Sequence, residues 1–496
     1  MQLRLVTTAT GIALLALGLA SCSTTSTSDS VVGSTAPDAV NTGIFTVTAQ
    51  PDSNGSALLS AINQATKTID IPIYEINDPA VNKALMDAKA RGVNIRTVQN
   101  AQWWQTADQK YAPSGYAANV DFAQALTAAP GPGTFTPHWS NNNFSITHQK
   151  SVIVDAADSS GNALPAANLP STAMAVISTG NFNAYSYNAQ TGKCTSTSEP
   201  CTAFSARDYQ LATSDPGVVA EMATVFVNDF GCSTRTTIVP SGLTNDDQLV
   251  WSNGTTGANP TDAAGQYPSV QEGYPYFVDD GGNVADQGNS RGIIEKVIDV
   301  AQPGDILRVT NEEMSDAQIT GYLAQAAKEG VEVRVVMTYP SVSTSGGQKQ
   351  LANLQKIADA GGTVRLFANN LALYIHAKTV TVERAGKPIA GYVGSENFSQ
   401  SSLEFNRELG AQLFPGDEAA MTVINTTFDG DFNTTKNTTI LPKSSPSPSP
   451  TSSATSSPTA ASKTSPALSA QQLKDFAAPN PLAPQERPLA DSPTLP

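Results

Sequence analysis

The sequence predicts an α/β fold made of two similar halves, each a mostly parallel sheet flanked by helices. The main observation is an internal repeat, because residues 69–98 and 306–336 share one order of features. Each segment reads as an apolar strand, an acidic turn, an amphipathic helix, a glycine and a second apolar strand. Right-handed connections make such strands parallel and place helices on both faces of the sheet. With 496 residues, 40% of them hydrophobic, the chain is long enough to bury two such cores.

The residues that begin and end the helix are similar in both repeats. The acidic turns end at Asp78 and Asp316, just before the helical pattern begins. Gly92 and Gly330 follow the helices, where glycine commonly closes a helix. Further helices are predicted before each repeat, near residues 57–65 and 292–301. The repeats therefore predict two α/β halves of similar design.

The first residues are typical of an export signal. A short start with Arg4 precedes a weakly apolar run, which ends in Leu-Ala-Ser followed by Cys22. This ending resembles a bacterial lipoprotein signal, in which the cysteine becomes the lipidated first residue; an ordinary secretory signal is the alternative. The resemblance implies a protein anchored to the outer face of a bacterial membrane. An exported chain would keep Cys194, Cys201 and Cys232, and we favour a disulfide between the first two.

The rest of the chain divides by composition. Its end is rich in Ser, Pro and Thr and has too few apolar residues to order itself. The predicted segments are a signal peptide (1–21), a tether (22–40), an N-terminal half (41–240), connecting loops (241–290), a C-terminal half (291–441) and a disordered tail (442–496).

Each half carries one copy of a polar motif, His-x-Lys-x4-acid. The copies comprise His148, Lys150 and Asp155 in the first half, and His376, Lys378 and Glu383 in the second. The chain has only three histidines. Two chance copies would therefore arise with a probability on the order of 2 × 10⁻⁵, although short motifs often mislead. On a strand, His and Lys two residues apart project from the same face.

These residues resemble the phospholipase D superfamily, which has a duplicated H-x-K-x4-D motif. A Gly-Ser-x-Asn turn follows each motif in that family, and residues 178–182 and 394–398 are similar to it, placing Asn181 and Asn397 at its asparagine. Asp208 and Glu408 match the place of an acid that orients a histidine. The resemblance spans nearly all of residues 41–432 and implies a phospholipase D-like fold, in which the halves pack with pseudo-two-fold symmetry around one active site. Glu383 and the approximate first turn depart from the pattern.

The chemistry of these residues fits cleavage of a phosphodiester. One neutral histidine attacks phosphorus, forming a phosphohistidine, while the other, protonated, releases the alcohol. We expect His148 to be the nucleophile and His376 the acid. Lys150 and Lys378 would stabilise negative charge, and Asn181 and Asn397 would bind the phosphate. This mechanism requires no metal or cofactor.

Carboxylates complete the predicted site. We expect Asp208 to orient His148 and Glu408 to orient His376 by bonds to the far ring nitrogen. Asp155 and Glu383 lie an odd number of positions from their histidines, so on a strand they would face away. We expect them to support the strand ends, with a solvated surface position as the alternative.

Three other features of the sequence give weaker indications of function. His138 has no lysine at the right spacing and is expected to pack in a loop, with a position along the substrate path as the alternative. Trp103 and Trp104 could meet an acyl chain or pack against a helix. The oxygen-rich stretch at 279–292 lacks the ligand spacing of a calcium loop and is expected to be a connector.

Two classes of enzyme remain open. The favoured one is a phospholipase D-type hydrolase or transferase that acts on phospholipid head groups at the membrane holding its anchor. The other is an extracytoplasmic nuclease of the same superfamily, disfavoured because a net charge of −15 suits DNA binding poorly. A non-catalytic surface binding protein is a third alternative. We expect a monomer whose partners are the phospholipid substrate and the membrane surface.

Overall fold

The protein is described here from a computed structural model, which covers residues 43–100, 114–139, 146–187, 205–231, 249–253, 290–368 and 373–444. Several predictions lie outside these ranges. They concern Cys22, Cys194, Cys201, Cys232, Trp103, Trp104, residues 279–289 and the tail from 445. Within the described residues, no helix combines the length and apolar character needed to cross a bilayer.

The described residues form two eight-stranded sheets. The strands before residue 300 are β1 (Thr46–Gln50), β2 (Thr68–Ile73), β3 (Asn94–Gln99), β4 (Phe135–Trp139), β5 (Ser151–Val154), β6 (Met174–Ser178), β7 (Ser205–Thr213) and β8 (Leu249–Asn253). Those after it are β9 (Ile306–Thr310), β10 (Glu332–Thr338), β11 (Thr363–Phe367), β12 (Leu373–Ile375), β13 (Lys378–Arg384), β14 (Lys387–Gly394), β15 (Arg407–Leu413) and β16 (Thr438–Ile440).

Helices connect and cover these strands. They are α1 (Ser56–Gln64), α2 (Pro79–Ala90), α3 (Ser114–Ala128), α4 (Ala184–Tyr187), α5 (Pro216–Gly231), α6 (Ser290–Asp299), α7 (Ala317–Lys328), α8 (Ser345–Ala360) and α9 (Glu418–Asn433). Asp78 and Asp316 cap α2 and α7 by accepting two backbone N–H bonds each. Gly92 and Gly330 adopt positive φ after these helices, as the repeat predicts.

The two sheets have the same strand order. The first runs β1-β7-β6-β5-β2-β3-β4, with β12 as its eighth strand paired to β7, and the second runs β8-β15-β14-β13-β9-β10-β11-β16. Position by position, β5 corresponds to β13, β6 to β14 and β7 to β15. The segment 241–290, predicted as connecting loops, contributes β8 to the second sheet. This shared order is the pseudo-two-fold repeat that the sequence predicts.

The expectation of mostly parallel sheets is wrong, because both sheets are mixed. Parallel pairing joins β2, β3 and β4 in one sheet and β9, β10 and β11 in the other. The strands that follow the histidine motifs pair antiparallel to their neighbours. Between β13 and β14 the chain turns back through Ala385 and Gly386, both at positive φ, as a two-residue hairpin requires. The repeated strand–helix–strand pattern covers only the parallel part.

A shared apolar core joins the halves. One buried cluster packs α1, α2 and α3 against the first sheet, and another packs α6, α7 and α8 against the second. The third includes residues of α5, α9 and both sheets, among them Ile177, Met222, Leu409 and Met421. Helices therefore cover both faces of each sheet, and the inner faces bury a common core.

Buried ion pairs fasten each inner helix to the opposite half. Arg407, at the start of β15, pairs with Asp229 of α5 at 2.7 Å. Arg207, in β7, pairs with Asp431 of α9, also at 2.7 Å. Removing one partner of such a buried pair would leave an uncompensated charge, so these contacts specify how the halves dock.

Candidate active site

Both histidine motifs lie where the halves meet. The backbone N–H groups of His148 and of the next residue donate to the carbonyl of Arg407, at 2.8 and 2.9 Å. Those of His376 and of the next residue donate to the carbonyl of Arg207, at 3.2 and 2.8 Å. Each histidine precedes its antiparallel strand and is held by the backbone of the other half.

The predicted pairing of acids with histidines is wrong, because the structure exchanges the two. Nδ1 of His148 lies 2.8 Å from the carboxylate of Glu408, whereas Nδ1 of His376 lies 2.8 Å from that of Asp208. The reason is the backbone contact just described. Because each motif hydrogen-bonds to the arginine of the opposite half, the acid that follows this arginine reaches the motif of the opposite half.

Hydroxyl and amide groups hold the two carboxylates in place. Ser395 donates to Glu408 at 2.6 Å, Asn406 donates to it at 2.9 Å, and Ser402 donates a further bond. In the other half, Thr179 donates to Asp208 at 2.8 Å. Because these bonds fix the carboxylates, they also fix the orientation of the imidazole rings.

The charge of Glu408 is favoured despite its burial. Burial would raise the pKa of this carboxyl group, but His148, Lys150 and the bond from Ser395 together lower it below the usual value. Next to it, burial and the charge of Glu408 raise the pKa of Glu396 to about 8. The site therefore holds an ionised orienting carboxylate beside a glutamic acid that is mostly neutral at pH 7.

The two lysines are buried beside their histidines. Nζ of Lys150 donates to the carbonyl of His148 at 2.7 Å, and Nζ of Lys378 donates to that of His376 at 2.6 Å. Both side chains are at most 1% exposed. Each ammonium group is thus held by the backbone of its histidine, and a buried positive charge can neutralise charge developing on a bound phosphate.

The two asparagines lie at the ends of equivalent strands. Asn181 follows β6 and is buried. Asn397 follows β14, and its Nδ2 donates to Glu312 at 3.3 Å. The turns that carry them bond to the loops after β2 and β9, since the carbonyl groups of Phe182 and Phe398 accept bonds from those loops.

Two site residues escaped the sequence analysis, and they differ between the halves. Tyr74 follows β2; its ring meets that of His148 edge to face at 5.1 Å and lies 5.3 Å from Nζ of Lys150. Glu312 follows β9; its Oε2 lies 2.9 Å from Nζ of Lys378 and 3.4 Å from Nε2 of His376. Each precedes its capping aspartate by four residues, so an alignment of the repeats on those aspartates would have found this difference.

Asp155 and Glu383 support the sheets, away from the histidine rings. Asp155 accepts bonds from the backbone at the start of β2 and from Thr172. Glu383 pairs with Arg308 of the neighbouring strand β9 at 3.0 Å. Including these two residues among the catalytic residues was therefore wrong. Their supporting role agrees with the prediction from their odd spacing to the histidines.

His138 packs in the wall of the first half. Its ring stacks on Phe230 at 3.7 Å and bonds to the carbonyl of that residue at 2.8 Å. The packing role agrees with the sequence analysis, but His138 lies in strand β4 and not in a loop. In the part of the chain that the structure describes, no group of three or more His, Cys, Asp or Glu side chains is arranged to hold a metal ion.

A family comparison agrees with the duplicated architecture. The sequence matches the family described as "Cardiolipin synthase, PLD-like domain" over residues 58–200 and 294–432, which is more than half of the chain. The chain belongs to the phospholipase D superfamily. One matched segment lies within each half, so each half contains one PLD-like match. Members of this superfamily catalyse phosphodiester transfer or hydrolysis.

The solved structures that resemble the chain share little sequence with it. Phosphatidylserine synthase from Haemophilus influenzae is 12% identical with a TM-score of 0.47, and the match covers 80% of this chain and 87% of that one. Nuc from Salmonella typhimurium, a phospholipase D family member, is 19% identical with a TM-score of 0.26, over 31% and 92% of the respective chains.

A third similar structure is larger. Polyphosphate kinase from Porphyromonas gingivalis is 11% identical with a TM-score of 0.47, and 80% of this chain spans 48% of that one. The chain therefore spans about half the length of this kinase. No curated protein matches the sequence.

The PLD-like site combines the groups that phosphoryl chemistry requires. Nδ1 of each histidine is bound to a carboxylate, which orients the ring and makes Nε2 the nitrogen that can react. Each also has a buried ammonium group beside it. Such pairs can supply a nucleophile, a proton donor and positive charge without a further protein group.

Proposed function

We propose that this protein is a phospholipase D-type hydrolase or transferase that cleaves the phosphodiester of phospholipid head groups. The main observation behind this proposal is that each histidine bonds to a carboxylate of the other half. His148 bonds to Glu408, and His376 bonds to Asp208. The family description, which names a cardiolipin synthase, supports a phospholipid as the substrate. A net charge of −15 disfavours a polyanionic nucleic acid.

In the first step, Nε2 of His148 attacks phosphorus and forms a P–N bond while the bond to the head-group oxygen breaks. The Nε2 proton of His376 moves to that oxygen, so the alcohol leaves neutral. Lys150 and Lys378 balance the charge on the phosphoryl oxygens, and Asn181 and Asn397 hydrogen-bond to them. Glu408 stabilises the positive charge that forms on the ring of His148.

In the second step, His376 acts as a base. It removes a proton from water, or from a second alcohol, as the oxygen attacks phosphorus and the P–N bond breaks. Water gives phosphatidic acid and an alcohol gives a new phosphodiester. Anchoring through a lipidated Cys22, on the outer face of a bacterial membrane, would concentrate the enzyme on this substrate.

The test is a paired assay of the purified full chain. We expect release of choline from labelled phosphatidylcholine vesicles, with phosphatidylethanol also formed if ethanol competes with water. We expect no cleavage of single-stranded DNA. His148→Ala and His376→Ala should each reduce turnover at least about 10³-fold, because nucleophile and acid serve one reaction.

The outcomes separate the alternatives. Cleavage of DNA and not of lipid would replace the proposed substrate with a nucleic acid. A single histidine variant that kept about half of the activity would contradict one shared centre. An inactive protein that still binds vesicles would favour the non-catalytic alternative.

A further inference from the structure

We infer that Glu312 is a positioning residue that holds His376 in its protonated form and so makes the C-terminal histidine the acid. This inference rests on the proposed function and deepens it. It concerns a residue outside the His-x-Lys and Gly-Ser-x-Asn motifs.

The geometry places the carboxylate against the reacting nitrogen. Oε2 of Glu312 lies 3.4 Å from Nε2 of His376, while Nδ1 of the same ring lies 2.8 Å from Asp208. A ring with a carboxylate at each nitrogen is best satisfied when both nitrogens carry protons. An imidazolium has no lone pair with which to attack phosphorus, but it has a proton to give.

Other contacts keep Glu312 where it is. Its Oε2 accepts a bond from Lys378 at 2.9 Å and its Oε1 accepts one from Tyr374 at 2.5 Å. Asn397 donates a further bond at 3.3 Å. The side chain of Glu312 is 8% exposed, so its charge is little screened by water. The charged and titratable groups around His376 thus include Asp208, Glu312, Lys378 and Tyr374.

The equivalent place in the other half is aromatic. Tyr74 presents its ring to His148 at 5.1 Å, where Glu312 presents a carboxylate to His376. Apart from this difference, the halves share the carboxylate at Nδ1 and the lysine bond to the histidine carbonyl. At this position of the repeat, the halves thus present an aromatic ring to one histidine and a carboxylate to the other.

In the reaction, Glu312 remains a carboxylate throughout. The Nε2 proton of His376 moves to the leaving alkoxide as the P–O bond breaks, and water returns a proton to the same nitrogen in the second step. Glu312 stabilises the imidazolium before and after this exchange and takes no proton itself.

The direct test is the protonation of His376, which does not depend on activity. With three histidines in the chain, ¹⁵N-histidine spectra resolve each ring. We expect Nε2 of His376 to carry a proton at pH 7. In Glu312→Gln, which keeps the shape and removes the charge, we expect the titration midpoint of His376 to fall by one to three pH units.

Controls separate this effect from a change of structure. Glu313→Gln alters the adjacent carboxylate, which bonds to Ser315, and should leave the midpoint of His376 unchanged. Glu312→Asp keeps the charge and should restore part of the shift. If Glu312→Gln does not fold, the wild-type spectrum still decides: a deprotonated Nε2 at pH 7 would overturn the inference, as would an unchanged midpoint in a folded variant.

Leaving-group dependence supplies the kinetic test. Glu312→Gln should lose at least tenfold in rate on phosphatidylcholine at pH 8, but little on a p-nitrophenyl ester, whose leaving group needs no proton. Equal losses on both substrates would overturn the inference even if lipid cleavage itself is found. Conversely, a wild-type chain without activity would refute the proposed function and leave the spectroscopic test to judge Glu312.

Discussion

Gly180 and Glu396 hold equivalent places in the halves, one residue before the asparagine of each Gly-Ser-x-Asn-like turn. A Cβ atom at Gly180 would lie 2.2 Å from Oδ2 of Asp208, so no larger residue fits there. In the other half, Glu396 occupies this place, and its side chain accepts bonds from Tyr392 and Ser290. The second half therefore carries a buried glutamic acid that the first half lacks.

This difference predicts a pH-dependent stability. The pKa of Glu396 is raised from 4.5 to about 8 by burial and by the charge of Glu408. Between these values the unfolded chain loses a proton that the folded chain keeps, so the contribution to stability is present below pH 4.5 and lost as pH rises to 8. In Glu396→Gln this loss disappears, and the variant should gain about 1.4 kcal/mol per pH unit relative to wild type.

Guanidinium unfolding of both proteins at pH 5, 6 and 7 measures this difference. The gap in the free energy of unfolding between variant and wild type should move steadily in favour of the variant as pH rises. If the free energies of unfolding of wild type and variant change equally with pH, Glu396 titrates normally and this prediction is wrong.

The strand that follows each histidine motif ends in a carboxylate, and the two ends are built differently. Asp155 follows β5 with φ of 53°, a conformation that Asp and Asn tolerate better than most residues. Its carboxylate accepts bonds from the backbone N–H groups of Thr66, Lys67 and Thr68, which lead into β2. Glu383 instead lies at an irregularity in β13 and pairs with Arg308.

Asp155→Asn should destabilise the protein without altering its chemistry. Asparagine keeps the backbone conformation but replaces one acceptor oxygen with a donor facing N–H groups. We expect a loss of about 2–3 kcal/mol in the free energy of unfolding at pH 7. Burial would raise the pKa of Asp155, but its hydrogen bonds lower it overall, so the loss should shrink as pH falls through that lowered pKa.

Chemical unfolding at pH 7 and pH 3 tests this expectation, and turnover per folded molecule should stay within about threefold of wild type. Asp158→Asn is the matched control, because Asp158 bonds only within an exposed turn in the described contacts. A large fall in turnover with intact stability would return Asp155 to the catalytic set.

Local sequence signals predicted the helices α2 and α7, but they did not predict the directions of the strands in the sheets. The capping aspartates Asp78 and Asp316 and the glycines Gly92 and Gly330 act within a few residues, so the bounds of α2 and α7 follow from sequence. The antiparallel return of β5 and β13 depends on how non-adjacent strands associate, which periodicity does not encode. Tyr74 and Glu312 carry no motif and stand out only when the repeats are aligned.

The way the halves dock determines which carboxylate reaches which histidine, and the sequence predicted this pairing wrongly. His148 and Glu408 are 260 residues apart, and His376 and Asp208 are 168 apart. Proximity along the chain favoured pairing within each half. The structure pairs them across the seam because Arg407 and Arg207 accept the backbone bonds of the opposite motifs. Neither half alone can therefore present a histidine oriented by its carboxylate.

The crossed pairing gives a test with two matched variants. Glu408→Gln removes the carboxylate that orients the proposed nucleophile, and Asp208→Asn removes the one that orients the proposed acid. We expect both to lower turnover of phosphatidylcholine by about 10²–10⁴-fold. With a p-nitrophenyl ester, whose leaving group needs no proton, Asp208→Asn should recover much of its rate and Glu408→Gln should not.

Pairing within each half would give the opposite result, since Asp208 would then serve the nucleophile and Glu408 the acid. The ratio of the two rates, alkyl ester against p-nitrophenyl ester, therefore reads the connectivity of the site from kinetics alone. It does so because the two carboxylates have the same chemistry and differ in which ring they reach. A recovery in Glu408→Gln instead of Asp208→Asn would mean that the crossed contacts, or the assignment of His148 as nucleophile, is wrong, and trapping the phosphohistidine would tell which.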